Sequence, residues 1–337
     1  MNFLRWIKRF TGQQTSDRQS QRYRRRLMAQ VLEDRITPTM VNWINNAGGD
    51  WDTASNWSPA QVPGAGDDAV ISQTGITITH STGASDSVNS VQCSATLSIS
   101  SGTLSIASAS SISALTESAG TLTGAGTVTV TGLMTWSGGT MSGTGITNIN
   151  GGTALGGNFT TLSGRTLNNP GTVTVSGNSG YYLTISNGAV VNNLSGATWD
   201  YHNDAAINSS GTATFNNAGT FEKTAGTDNT QVLPLFTNTG TVNADSGNFS
   251  FTGGAVTIGG SGFLTSEPGT TISFTGNLLG STQNADQFNP EGNILLDGSG
   301  SSSSPQHLEA MSQDLGAVAA GFTSNFVYNT LTIGGSD

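Results

Sequence analysis

The strip from Trp199 to Asp204 carries the best arrangement of polar side chains for chemistry in this sequence. If the strip is a strand, Asp200, His202 and Asp204 share one face, because residues two apart point the same way. Glycoside hydrolysis uses two carboxyl groups about 5–9.5 Å apart, and Trp199 and Tyr201 are suited to stacking on sugar rings. The alternative interpretation, which we favour, is an exposed polar strand face without catalytic activity.

Other kinds of catalysis find less support in the sequence. A polysaccharide lyase needs clustered basic side chains, and the acidic body of the chain offers only Arg165 and Lys223. Arg165 is interpreted as pairing with an acid or packing at a corner, and Lys223, beside Glu222, as part of a solvated surface pair. His80 and His307 have no partners in sequence, and no Ser-His-Asp or H-E-x-x-H spacing occurs. We therefore predict no catalytic residue and no cofactor.

Four acidic residues are the candidates for a metal site: Asp50, Asp52, Asp67 and Asp68. Their hard carboxylate oxygens suit calcium. Their spacing matches neither an EF-hand loop nor the glycine-rich nonapeptide repeat of calcium-binding β-helices. The preferred interpretation is a set of loop and turn acids, and no metal is predicted.

Charge is divided unevenly along the chain. Residues 1–35 contain nine of the eleven Lys and Arg residues, whereas residues 36–337 contain two of them against eighteen acids. A body this acidic repels phosphate backbones, which argues against nucleic acid as a partner. No window of about eighteen apolar residues is present, so no transmembrane helix is predicted. The sequence makes no prediction about oligomeric state.

The elements that must position these residues are predicted to be strands. Gly (46), Ser (42), Thr (48) and Asn (29) make up about half of the 337 residues, and all four are mediocre or poor helix formers. Short runs alternate between β-branched apolar and hydroxyl residues, most cleanly at 126–132 and 172–177. This period of two puts one face inward and the other toward water. An all-β body follows.

A longer repeat is superimposed on the strands. A turn signature centred on two asparagines recurs so that the second asparagine falls at Asn169, Asn193, Asn217 and Asn238. A repeat of 20 to 30 residues with a fixed turn indicates one solenoid coil per repeat. Asparagines at one position of successive coils can stack as an amide ladder. We predict a right-handed parallel β-helix, or β-solenoid, with about 20–25 residues per coil.

The predicted organisation has five segments. Residues 1–39 are a basic leader expected to be disordered, and residues 69–297 are the solenoid. Residues 298–305 are a Gly/Ser linker or loop, and 306–337 are further solenoid strands of a chain we interpret as a fragment of a longer protein. Residues 40–71 form an N-terminal cap that covers the first coil. The cap residues singled out are Trp43, Trp51, Trp57, Asp67 and Asp68.

The N-terminal region carries a specific resemblance. The segment 25–38, RRLMAQVLEDRITP, resembles the leader of many large extracytoplasmic proteins of planctomycetes. The resemblance implies export, although the apolar stretch is shorter than that of an ordinary signal peptide.

The repeats carry a second resemblance. The runs at 120–145, 162–172 and 215–221 resemble a large family of bacterial surface β-solenoids with autotransporter-passenger-like repeats. This implies a non-catalytic structural or adhesive protein that is extracellular or on the cell surface, with cell-surface polysaccharide or neighbouring cells as partners. The alternatives are a carbohydrate-binding or carbohydrate-active β-helix that uses the 199–204 strip and, less favoured, an intracellular repeat scaffold.

Overall fold

Short β-strands joined by tight turns make up almost all of the structure, a computed structural model that describes residues 38–157, 159–177, 182–280, 288–296 and 330–333. These residues belong to one compact unit, Thr37–Asp337. The only helical element among them is a 3-10 turn at Ala54–Asn56. Three predicted segments lie outside the described residues: the leader except its last two residues, the linker 298–305, and all but four residues of 306–337.

The strands are short and follow one another closely. The N-terminal strands are β1 (Thr39–Trp43), β2 (Gly49–Asp50), β3 (Trp57–Ser58), β4 (Asp67–Ile71) and β5 (Thr77–His80). The strands that follow as far as residue 186 are β6 (Ser85–Val88), β7 (Ser90–Ile99), β8 (Thr103–Ile106), β9 (Ser110–Glu117), β10 (Thr121–Thr123), β11 (Thr127–Val130), β12 (Met134–Trp136), β13 (Gly139–Ser142), β14 (Ile146–Ile149), β15 (Thr153–Gly156), β16 (Thr160–Ser163), β17 (Thr166–Asn169), β18 (Thr172–Ser176) and β19 (Tyr182–Ser186). The remaining strands are β20 (Val190–Asn193), β21 (Thr198–Tyr201), β22 (Ala206–Ser210), β23 (Thr214–Asn217), β24 (Thr220–Lys223), β25 (Asn229–Val232), β26 (Leu235–Asn238), β27 (Thr241–Ala244), β28 (Asn248–Phe251), β29 (Val256–Ile258), β30 (Phe263–Ser266), β31 (Thr271–Phe274), β32 (Leu278–Gly280), β33 (Phe288–Pro290), β34 (Asn293–Leu296) and β35 (Thr330–Ile333).

The strands stack into three ladders, which we call faces 1, 2 and 3, and through most of the stack each strand pairs with the third strand along the chain. Face 1 contains β1, β4, the first halves of β7 and β9, and then β11, β14, β17, β20, β23, β26, β29 and β32. Face 2 contains β2, β5, the second halves of β7 and β9, and then β12, β15, β18, β21, β24, β27, β30 and β33. Face 3 contains β6, β8, β10, β13, β16, β19, β22, β25, β28, β31, β34 and β35.

One strand from each face makes one coil, and the chain forms a β-solenoid of about 10 coils of roughly 21 residues. Coil length varies: Thr129 and Asn148, on successive coils, are 19 residues apart, whereas Asn169 and Asn193 are 24 apart. The pairings between coils are parallel, and β1 with β3 is antiparallel. The predicted all-β solenoid is confirmed, and its right-handed sense stays a prediction.

The core runs along the axis of the stack, because alternate residues of each strand point inward. In β11 and β31, for example, the second and fourth residues are buried and the first and third are half-buried. Parallel register puts like side chains above one another. The rings of Phe215 and Phe236 stack with centroids 5.4 Å apart, and those of Phe251 and Phe274 with centroids 5.3 Å apart. Each such buried ring stabilises the coil by roughly 1.5–3 kcal/mol.

Glycines at one corner follow from the closeness of neighbouring coils. Gly124 and Gly143 both have positive φ angles, 105° and 84°, which side chains with a Cβ rarely adopt. A Cβ on Gly124 would lie 2.1 Å from the carbonyl oxygen of Ile106, and one on Gly143 would lie 2.6 Å from that of Gly124. Backbone therefore packs on backbone at this corner, and larger residues are sterically excluded.

The N-terminal segment is built around three buried tryptophans. Trp43, Trp51 and Trp57 are at most 2% exposed. Trp57 meets the other two rings edge-on, with centroids 4.9 and 4.8 Å away, and its Nε1 donates to the carbonyl oxygen of Trp51. The antiparallel β1–β3 pair brings two of these rings together, and β1 joins the parallel ladder through β4.

Candidate functional site

The two aromatic residues of the 199–204 strip, which were considered as sugar-stacking groups, are not accessible to a sugar. Trp199 and Tyr201 are 0% and 1% exposed. Their rings contact Phe215 and Phe221 in the core, at centroid distances of 5.1 and 5.6 Å. The interpretation of these two residues as sugar-stacking groups is therefore wrong. The alternation of β21 puts the large apolar rings inward, where burial favours them most, and leaves Asp200 between them facing out.

Of the three polar residues of the strip, Asp200 and His202 stay together and Asp204 turns away. The Nε2 atom of His202 lies 2.7 Å from Oδ2 of Asp200, and the Thr224 hydroxyl donates to the other oxygen of Asp200. Asp204 instead accepts from the ammonium group of Lys223 at 2.6 Å and from the backbone N–H of Asp228. The predicted single face of Asp200, His202 and Asp204 is not formed, because β21 ends at Tyr201 and the alternation stops there.

Lys223 is buried, so its interpretation as part of a solvated surface pair with Glu222 is wrong. Its side chain is 0% exposed, and Nζ donates to Asp204, to the carbonyl oxygen of Asp228 and to the hydroxyl of Thr230. Burial lowers the pKa of Lys223, and the hydrogen bond and charge of Asp204 oppose that shift. The ammonium group thus joins the end of face 2 to the start of face 3.

A different carboxyl pair lies on the outer surface of face 2. Asp200 and Glu222 are register partners on β21 and β24, so their backbones are about 4.8 Å apart. Burial raises the pKa of Glu222, and the charges of Asp200 and Asp245 raise it further, while His202 lowers it. Sequence reasoning missed this pair because its members lie on successive coils. Counting forward from Asp200 by one coil length would have led to Glu222.

The four predicted ladder asparagines form a continuous buried chain of hydrogen bonds, which we call the asparagine column. The side-chain N–H donates to the next amide oxygen at 2.8 Å from Asn169, 2.7 Å from Asn193 and 2.8 Å from Asn217. Each Nδ2 also donates to a backbone carbonyl oxygen on the following strand of the next coil, and Asn238 does so at 3.1 Å. The asparagine column ends at Asn238, because the register partner of Asn238 on the next coil is Ile258.

A second amide ladder, not predicted from the sequence, runs beside it on the outer surface of face 1. Asn168 donates to Asn148, Asn192 to Asn168 and Asn216 to Asn192, at 2.8 to 2.9 Å. These side chains are half-buried. We call this set the outer amide ladder. The sequence feature that could have predicted this ladder is the first asparagine of each repeated Asn-Asn pair in the turn signature.

Arg165 lies at the corner between face 3 and face 1 and is completely buried. Its guanidinium group makes five hydrogen bonds, which match its five N–H donors. The acceptors are the carbonyl oxygens of Gly124, Gly126, Ser142 and Ile146 and the hydroxyl of Thr147. The side chain therefore joins several coils, in agreement with the corner interpretation.

The inward position at the end of face 2 contains most of the other ionisable groups in the interior. Cross-strand register aligns His80 with Ile99, Ile99 with Glu117, and Glu117 with Trp136. Farther along the same face, Tyr201 aligns with Lys223. We call this set the charged column. Apolar residues separate its ionisable members, so like charges do not stack.

Glu117 is the most isolated member of the charged column. It is 0% exposed, and neither carboxyl oxygen has a hydrogen-bond partner of good geometry. Burial raises its pKa well above the ordinary value of 4.5. The backbone N–H groups of Leu122 and Thr140 and the charge of Arg165 lower it by less. Burial therefore favours the neutral form of the side chain.

The four acids considered as metal ligands, Asp50, Asp52, Asp67 and Asp68, have different partners in the structure. Asp67 accepts from the backbone N–H of Gly64, and Asp68 accepts from the side chains of Asn89 and Ser90, so both stabilise turns and strand ends. Asp50 accepts from the Ser81 hydroxyl and from the backbone N–H of Asp52.

Asp52 belongs to a different cluster, which unites it with two residues that the sequence had not connected to it. One ligand atom each from Asp52, His80 and Asp86 lies within 4.8 Å of the others. Within the described ranges this is the only group of three or more His, Cys, Asp or Glu side chains with metal-ligand geometry. Turns and strands of the first coils bring together residues that are well separated along the chain.

None of the protein-family models, curated proteins or solved structures compared with this chain matches it. In the described part of the chain, no helix has the length and apolar character needed to cross a bilayer.

Proposed function

We propose that this chain is a non-catalytic structural or adhesive rod, secreted or displayed on the cell surface. The observation that carries the proposal is that polar side chains in the interior form hydrogen bonds between coils. Arg165, Lys223 and the asparagine column all bond between coils. Such bonds stiffen a repeat protein, whose stability accumulates through neighbouring coils.

The outer amide ladder supports an adhesive role. Half-buried amides repeat at the coil spacing, about 4.8 Å, and continue into the hydroxyls of Thr129 and Thr237 on neighbouring coils. A flat row of donors and acceptors suits the hydroxyl groups of an extended cell-surface polysaccharide. The resemblance of segment 25–38 to planctomycete export leaders supports the location.

Immunolabelling of intact and permeabilised cells with antibody to residues 69–297 tests the location. We expect label on intact cells. Label that appears only after permeabilisation would contradict surface display.

Glycan-array binding by the purified chain tests adhesion. The informative variant is Asn168→Ala with Asn192→Ala, which interrupts the outer amide ladder, and Glu267→Gln is the matched control because its side chain is exposed elsewhere on the rod. We expect the double variant to lose polysaccharide binding and the control to keep it. Equal binding by all three proteins would exclude this surface.

A second candidate function is a carbohydrate-active β-helix that uses Asp200 and Glu222. The specific observation is their cross-strand register, combined with the raised pKa of Glu222. Such a spacing allows the roles of an acid and a nucleophile. Release of reducing ends from a panel of polysaccharides tests it. Activity that disappears in Asp200→Asn and in Glu222→Gln, but not in Glu267→Gln, would favour this function over the structural one.

A further inference from the structure

The Asp52, His80 and Asp86 side chains converge from three separate elements. Asp52 follows β2 in the tryptophan-rich segment, His80 ends β5, and Asp86 lies in β6. His80 is completely buried, whereas the side chain of Asp86 is 18% exposed. The group therefore lies at the corner between faces 2 and 3, where the N-terminal segment meets the first coils.

The protonation of His80 is fixed on one side of its ring. Its Nδ1 lies 2.8 Å from the carbonyl oxygen of Ser101. A carbonyl oxygen only accepts, so Nδ1 carries the proton. The other nitrogen, Nε2, lies 2.8 Å from Oδ2 of Asp86. In a neutral ring this places a lone pair against a carboxylate oxygen, which is favourable only with a cation or a second proton between them.

A carbonyl that holds Nδ1–H and directs Nε2 toward a cluster of oxygen atoms is the usual support for a metal-binding histidine. It sets both the tautomer and the orientation of the ring. Ser101 supplies this support from the loop before β8, independently of the two carboxylates.

Asp52 brings a carboxylate oxygen without a hydrogen-bond partner to the same place. The hydroxyl of Thr82 donates to its Oδ2. Its Oδ1 is shielded from solvent and has no hydrogen-bond partner. An unpaired oxygen beside a second carboxylate is costly to bury without a cation or a shared proton between them.

We propose that Asp52, His80 and Asp86 form a binding site for one divalent transition-metal ion, with Zn²⁺ as the best fit. One imidazole nitrogen and two carboxylate oxygens are ligands that Zn²⁺ takes in proteins, whereas Ca²⁺ and Mg²⁺ favour oxygen-only sites. Two carboxylates and a neutral imidazole carry two negative charges, which a dication neutralises. Water completes the coordination. The ion would fasten the tryptophan-rich segment to the first coils.

The competing arrangement contains no metal. In it, His80 is protonated and paired with Asp86, and Asp52 shares a proton with Asp86. The two arrangements predict different results when a metal is added to the full chain.

The experiment uses the full-length protein dialysed against a chelator and then titrated with Zn²⁺ by calorimetry. We expect one ion per chain and a higher Tm in its presence. Asp52→Asn and Asp86→Asn should each weaken binding at least about 100-fold, beyond the roughly 10–100-fold cost of losing a supporting residue. Asp67→Asn is the control, because it removes another acid of the N-terminal segment whose carboxylate accepts from the backbone N–H of Gly64.

A spectroscopic measurement keeps the proposal testable if a variant fails to fold. Wild-type protein loaded with Zn²⁺ should give an X-ray absorption spectrum with one imidazole and oxygen ligands only. No binding, binding unchanged in Asp52→Asn and Asp86→Asn, or a spectrum without imidazole would overturn the proposal and favour the proton-sharing arrangement.

Discussion

The asparagine column and the charged column run along the same solenoid, at two of its three corners, and satisfy buried polar groups by opposite means. An amide both donates and accepts, so identical residues can occupy successive coils, as Asn169, Asn193 and Asn217 do. An ammonium or carboxylate group cannot bond to a copy of itself. Lys223 and Glu117 therefore do not align with residues of like charge on the neighbouring coils, and each depends on a local environment that occurs once.

This difference determines how each column responds to mutation. Loss of one asparagine interrupts a repeated pattern, and several coils share the consequences. Loss of Lys223 instead removes the one cation of a local cluster, above all from the Asp204 carboxylate, in a place that water reaches poorly.

The largest effect is expected for Lys223→Met. The change leaves the Asp204 carboxylate without its buried cation and removes one donor each from the carbonyl oxygen of Asp228 and the hydroxyl of Thr230. Breaking a buried ion pair from one side costs about 3–5 kcal/mol. We expect the urea unfolding transition to move to lower concentration by a corresponding amount. If the stranded carboxylate is the cause, Lys223→Met combined with Asp204→Asn should recover part of the loss, and a transition at the wild-type position would contradict the assignment.

An intermediate effect is expected for Asn193→Leu. The change removes the acceptor of Asn169, the donor to Asn217 and the donor to the carbonyl oxygen of Thr220. Buried groups left without partners cost about 1–3 kcal/mol each, and relaxation of the neighbouring amides should limit the total to about 2–3 kcal/mol. Asn192→Leu is the control, because water can replace its half-buried contacts on the outer amide ladder. Equal losses at the two positions in urea unfolding would show that burial does not distinguish the ladders.

The effect expected for Glu117→Gln depends on pH and is smallest near pH 4.5. The pKa of Glu117 is raised in the folded protein, so between about pH 4.5 and that value the folded state binds more protons than the unfolded state. Wild-type stability therefore falls as pH rises through this window, by at most about 1.4 kcal/mol per pH unit, and is unaffected by this group at lower pH. Glutamine does not titrate.

Urea unfolding of both proteins at several values between pH 4 and pH 8 measures the contribution of Glu117. We expect the advantage of the Gln variant over wild type to grow as pH rises. Parallel curves across this range would mean that Glu117 is not held neutral.

Local patterns were sufficient to predict the repeating part of the fold. Alternation in runs such as 126–132 predicted strands, and β11 (Thr127–Val130) is one of them. The recurring turn signature predicted coils and the stacking of its second asparagine. These inferences worked because side-chain alternation and turn chemistry act over a few neighbouring residues.

Inferences about individual outward or buried residues were less successful. Trp199 and Tyr201 are in the core, Lys223 is buried, and Asp204 turns away from Asp200. The error at Trp199 and Tyr201 came from overlooking that they alternate with Asp200 within β21, and the error at Asp204 came from extending the alternation past the end of that strand. The error at Lys223 came from assuming that its polar neighbour in sequence is its partner in space.

The sequence by itself determined that this chain is a β-solenoid, because the period of two and the coil-length repeat are written in consecutive residues. Outside the repeated asparagines, only the tertiary structure decided which residues meet across coils: Asp200 with Glu222, and His80 with Asp52 and Asp86. The physical reason is that coil lengths differ, from 19 to 24 residues in the examples above. A shift of one residue in a turn changes both the partner and the face of every side chain that follows.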